Sequence, residues 1–106
     1  MIETVYLGHD NPNTVVLNHD GAPIDFSAAT RVVCEFEDST VEADTDVDAN
    51  LIDWSLGNGQ LVFRFNDLDI PTGIYLVTLL VFDPAHPDGQ VLAHPKGAEL
   101  RFKFVE

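Results

Sequence analysis

Asp44-Thr45-Asp46-Val47-Asp48 is the segment of this sequence whose residue types and spacing come nearest to chemistry. Alternating carboxylates offer the hard oxygen donors that Ca²⁺ takes, about six to eight at a time. Laid over an EF-hand loop, the segment has Ala49 where the sharp-turn glycine belongs and Ser55 where the bidentate glutamate belongs, so that pattern fails. A looser Ca²⁺ site at Asp44, Asp46 and Asp48, with Asn50 or Asp53, competes with the plainer expectation of a solvated acidic loop. The loop is favoured, so no metal and no cofactor is expected. His9, His19, His86 and His94 lack the close spacing of a zinc site, and two of them precede proline, which reads as turn chemistry. Cys34 has no histidine near it in sequence and sits on the inward side of an alternating segment, as a small core residue would. Neither a serine elbow nor a glycine-rich phosphate loop occurs. A catalytic set is therefore not expected, and the chain reads as a non-enzyme. Trp54, between Asp53 and Ser55, is either a core anchor or an exposed stacking platform for a sugar. Alternation puts Ile52, Trp54 and Leu56 on one face, which favours the core.

The elements that would position these residues are strands. In Thr30 to Glu37, Val32, Cys34 and Phe36 alternate with Arg31, Val33 and Glu35. Leu61, Phe63 and Phe65 alternate with Val62 and Arg64, and Tyr75, Val77, Leu79 and Val81 share one face of a longer segment. Leu100, Phe102 and Phe104 point inward in the last strand, with Arg101, Lys103 and Val105 outward. Ile2 to Leu7, Thr14 to Asn18 and Leu51 to Leu56 are further strands, and Thr40 to Ala43 is a short one. Asp20-Gly21 is a hairpin-turn signal, and Asp83 to Gly89 reads as a long two-proline turn before a brief edge segment at Val91 to Ala93, which Pro95 stops. No window keeps a helical period with a cap, although one helical turn near Asp67 to Ile70 fits. The expected fold is all-β: one domain over residues 1–106, an immunoglobulin-like antiparallel β-sandwich of about seven to eight strands. Tyr75 stands where a tyrosine-corner residue would, with its ring in the core and its hydroxyl bonded to upstream backbone.

The 106 residues carry a formal charge of −13 and five basic side chains. Eight acids, Glu35, Glu37, Asp38, Glu42, Asp44, Asp46, Asp48 and Asp53, lie between Val32 and Phe63, a stretch without a lysine or arginine. Nucleic-acid backbone and anionic membrane surfaces are poor partners for such a chain. Solubility through self-repulsion is the plain explanation of the charge, and mimicry of nucleic acid the sharper one. One cysteine precludes an intrachain disulfide, which fits folding in a reducing cytoplasm. The first residues read as neither signal peptide nor membrane segment.

Two blocks carry a family resemblance. Asp20-Gly21-Ala22-Pro23-Ile24-Asp25-Phe26-Ser27-Ala28-Ala29-Thr30 resembles the opening of many small phage domains, with Phe26 for the usual leucine and Ala28 for a common glycine. Gly59-Gln60-Leu61-Val62-Phe63-Arg64-Phe65, with Ile70-Pro71-Thr72-Gly73-Ile74-Tyr75-Leu76-Val77 and the strand-ending Asp83, resembles their second half. The chain is similar, over roughly residues 14 to 106, to the immunoglobulin-like domains of tailed bacteriophages, including the N-terminal domain of baseplate upper proteins. The acidic segment 38–50 is a departure from that pattern. The resemblance implies a structural module of a virion, in the tail or baseplate before the head. It would be made in the bacterial host cytoplasm, with other phage structural proteins or its own copies as partners.

An apolar excess points the same way. With Tyr75, Val77, Leu79 and Val81 inward, Ile74, Leu76, Leu80 and Phe82 face out, where a half-solvated strand should be polar. Val62 and Val105, outward by the same alternation, would lie near them. Such a patch marks an interface unless the N-terminal segment or the 84–97 loop folds over it. The function expected is assembly through that face. The alternatives are a module binding host-surface glycan at Trp54 and the acidic loop, or an acidic nucleic-acid-mimic inhibitor of a host protein.

Overall fold

The computed structural model describes residues 2–93 and 99–106, and contains strands and turns but no helix among them. The strands are β1 (Ile2–Tyr6), β2 (Asn13–Val16), β3 (Asn18–His19), β4 (Ala22–Pro23), β5 (Arg31–Phe36), β6 (Glu42–Asp44), β7 (Ile52–Asp53), β8 (Gln60–Phe63), β9 (Gly73–Asp83), β10 (His86–Ala93) and β11 (Arg101–Val105). They form a six-stranded sheet ordered β1-β11-β9-β5-β6 with β10 also on β9, a three-stranded sheet β2-β8-β7, and the small hairpin β3-β4. All pairings are antiparallel except that of β1 with β11, which is parallel.

Alternation explains the core. Val32, Cys34 and Phe36 of β5, Val77, Leu79 and Val81 of β9, and Phe102 and Phe104 of β11 are buried together with Val15, Ile52, Leu61, Phe63 and Phe65 from the other side. Phe63 meets Phe102 edge-on at 5.1 Å between ring centres, and Phe36 meets Phe65 at 5.6 Å. These rings join the two sheets, each pair adding about 0.5–1.5 kcal/mol beyond its burial.

β9 is the longest strand because it serves three neighbours. Its residues 77–82 pair with β5 along one edge. On the opposite edge Gly73 to Leu76 pair with β11, and Leu79 to Asp83 pair with β10. The stretch expected to be a long loop before a brief edge segment is thus a hairpin, turned at Pro84-Ala85, with His86 opposite Asp83. Pro87 is tolerated because it falls at a register shift between His86 and Gln90, on a strand that among the described residues pairs with β9 alone. The expected block at Pro95 falls outside the described residues.

Turns follow their residues. Asp20 and Gly21 both take positive φ, 52° and 79°, the signature of the two-residue hairpin turn anticipated there. Gly59, at φ +73°, is packed so closely that a Cβ would collide with the Leu17 carbonyl oxygen. Around Asp67 to Ile70 the chain makes turns, with the Leu68 amide donating to Phe65, instead of a helical turn.

Candidate functional site

The outer face of the six-stranded sheet can be read as rows across its strands. Register aligns Ile2 of β1 with Arg101 of β11, and Arg101 with Leu76 of β9. The Glu37 amide donates to the Leu76 carbonyl at 2.8 Å and extends that row beyond β5. One row along lie Thr4, Lys103 and Ile74. In the other direction lie Thr78, Glu35 and Glu42, then Val91, Leu80, Val33 and Asp44. Ile74 is 57% exposed and Ile2 51%, whereas Leu76 is half-buried. Glu37, Asp38, Ile74, Tyr75, Leu76 and Arg101 line a shallow cleft of about 230 Å³ on this face.

Of the six residues expected at an interface, Ile74 and Leu76 are thereby brought together in the cleft. Leu80 is half-buried between Val33 and Val91. Phe82 is half-buried too, with the Arg31 guanidinium 4.7 Å above its ring and Gly89 of β10 close against it. Val105 lies half-buried at the far end of β11, beside Tyr6. Val62 departs from expectation. It belongs to β8 in the other sheet, between Thr14 and Asp53, and is 5% exposed. Alternation reports which of two sides a residue faces, and β8 turns its second side to different neighbours than β9 does. Arg31 and Gly89 thus shield Phe82, Leu76 and Leu80 stay half-buried among their row neighbours, and Ile74 and Val91 are exposed.

The acidic triplet does not converge on an empty centre. The β5–β6 register places Asp44 next to Val33, and Arg31 reaches across to it, with Nε donating to Oδ1 at 2.9 Å and Nη2 donating to Oδ2. Asp46 Oδ2 lies 3.3 Å from the same Nε. Asp48 Oδ1 instead accepts the Asn50 amide at 3.0 Å. The cation that Asp44 and Asp46 share is a protein guanidinium. Among the described residues no group of three or more His, Cys, Asp or Glu is placed to hold a metal ion. Arg31 holds the nearly buried Asp44 carboxyl below the ordinary carboxylate range, against the opposing effect of burial, and Asp44 in turn raises the guanidinium. Arg31 was legible as an outward residue of its strand. That it precedes the acidic run and is the nearest cation to it was the signal for this pairing.

Other candidates stand apart. His9 is exposed in a bend, His19 on β3 and His86 at the start of β10, apart from one another, and His94 lies outside the described residues. His86 Nδ1 is 2.9 Å from Asp83 Oδ1, a contact that holds Asp83 below its usual range. Cys34 is fully buried, and burial, followed by the nearby Glu35 charge, pushes its thiol up, so it is no thiolate nucleophile. Trp54 packs half-buried against the core and borders an open cleft of about 320 Å³ with Asn50, Asp53, Ser55 and Arg64. Leu56, expected beside it, is 58% exposed because β7 ends at Asp53, whose Oδ1 accepts the Ser55 amide at 2.8 Å and turns the chain. No helix among the described residues is long and apolar enough to cross a membrane. Compared with protein-family models, curated proteins and solved structures, the chain has no match.

Proposed function

We propose that this protein is a non-catalytic assembly module with an immunoglobulin-like β-sandwich, of the kind that tailed-phage virions use in tail or baseplate. Three features support the architecture. Two sheets close on one core, the Tyr75 hydroxyl donates to the Pro71 carbonyl at 2.8 Å as a tyrosine corner does, and the two phage-like blocks coincide with the β3–β4 hairpin and the β8–β9 corner. The observation that carries the function is the open end of the sheet face, where Ile74 is exposed beside Leu76 between an arginine and a glutamate. A rigid sandwich with such a face works by geometry: it presents a fixed apolar strip with charged margins to a neighbouring subunit. The partners are other virion subunits or further copies of the chain, and the protein acts in the particle after synthesis in the host cytoplasm. Mass spectrometry of purified particles from a phage carrying this gene is expected to find the protein at stoichiometric level, and its absence from the particle would sink the virion reading. Ile74→Asp is expected to leave the thermal midpoint within a few degrees of native and to abolish incorporation.

The cleft beside Trp54 favours a second reading, in which its indole edge and the polar groups of Asn50, Asp53 and Arg64 take a neutral host-surface sugar. Tryptophan fluorescence titrated with host polysaccharide would then change saturably, and a flat titration removes this reading.

A further inference from the structure

The open cleft on the outer sheet face is self-complementary, and we infer that its occupant is the same cleft of a second copy, related by a two-fold axis running along β9. This rests on the assembly reading above and names its partner. The argument comes from register. In one row Arg101 stands on one side of Leu76 and Glu37 on the other, so the row reads positive, apolar, negative. A two-fold axis lying in the interface parallel to β9 exchanges the two sides of that strand. It sets Leu76 against Leu76 and Ile74 against Ile74 at the axis. It also sets each Arg101 against the Glu37 of the other copy, twice over, because the contact is isologous. One row along, Lys103 is carried toward the turn at Asp38, which takes φ +61° to end the β5 side. The cleft thus has an apolar floor and walls of opposite sign, which one symmetry operation pairs with their complements.

Glu99 opposes the arrangement. It accepts from Arg101 Nη2 at 2.9 Å, and it flanks the strand on the same side as Arg101, where the two-fold turns it toward the other copy's Glu35 row. Its neutral variant therefore frees Arg101 and removes a like-charge approach. The occupant competing with a second copy is a different virion subunit, which would also be apolar and charged at its contact.

The test is sedimentation velocity of the whole chain over a concentration series to about millimolar, with three charge variants. Native protein is expected to pass from monomer to dimer and no further. Arg101→Glu and Glu37→Arg are each expected to raise the dimer dissociation constant by about tenfold or more, since each leaves a like-charge pair at the contact. The double variant R101E/E37R is expected to return to within about threefold of native, because the pair is re-formed with its signs exchanged. E99Q is expected to tighten the dimer. A native chain that stays monomeric throughout overturns the inference and leaves the face to a different subunit. A native dimer that the double variant fails to restore overturns this axis and face. Open-ended polymers overturn the two-fold. Absence from the particle, by contrast, would defeat the virion reading while leaving the dimer standing.

Discussion

Arg31 is held by two aspartates and lies over the Phe82 ring, at the end of β9 opposite the exposed Ile74. Its pairing with Asp44 has a pH signature. The Asp44 carboxyl is depressed in the folded chain, so its contribution is fully present above the unfolded aspartate value of about 3.9 and is lost as pH falls through the lower folded value. Asp44→Asn is accordingly expected to cost about 1–2 kcal/mol at pH 7, discounted for the partly exposed arginine. The difference from native should close on acidification below about pH 4, as measured by urea unfolding across pH. A constant difference down to pH 2 would contradict the ion-pair account. Tyr75 offers a cleaner deletion. Tyr75→Phe removes one hydroxyl that donates to Pro71 and is expected to lower stability by about 1 kcal/mol while leaving the ring's contacts with Phe36 and Phe104 intact.

At the scale of elements, two glycines of one turn separate backbone strain from steric conflict. Gly57 and Gly59 have nearly the same φ, +74° and +73°, but a Cβ at Gly57 meets open space while one at Gly59 meets the Leu17 carbonyl. Gly57→Ala should cost about 1 kcal/mol, the left-handed penalty, and Gly59→Ala about 2–4 kcal/mol, because backbone must shift. Equal losses in thermal unfolding would mean the β2–β8 connection is looser than its packing implies. The long central strands were legible, whereas the first part of β10 was expected to be loop and β7 to run on to Leu56. The outward and inward residues of β5, β9 and β11 follow from period-two alternation, and the hairpin at Asp20-Gly21 from its turn residues. Alternation says nothing of which strand lies beside which. The split of β9 between β11 and β10, the parallel partnership of β1 with β11, and the burial of Val62 depend on long-range pairing, which no local pattern encodes. For the Arg31–Asp44 pair the sequence offered only the nearness of one cation to the acidic run, and which carboxylate it meets depends on the register of β5 against β6.

For the whole molecule, charge and contact pull in opposite directions. Two chains of −13 repel at long range, and salt screens that monopole before it screens pairs in contact. Association is therefore expected to strengthen between about 0.01 and 0.15 M salt, where the Debye length falls from about 30 to 8 Å. Sedimentation that shows weakening over the same range would mean that the contact itself, not the net charge, dominates the electrostatics.

The parallel pairing of β1 with β11 has a mechanical consequence. Ile2 lies beside Arg101 and Tyr6 beside Val105, so the first strand begins where the last one begins, and the chain enters at one end of this ladder and leaves at the other. Tension applied through the two ends pulls the strands lengthwise past each other in shear. The hydrogen bonds of the ladder then bear the load together and must fail together, whereas an antiparallel terminal pair would unzip one bond at a time. Forced unfolding is governed by that barrier, not by equilibrium stability, so the domain should resist pulling from its ends far better than its size suggests.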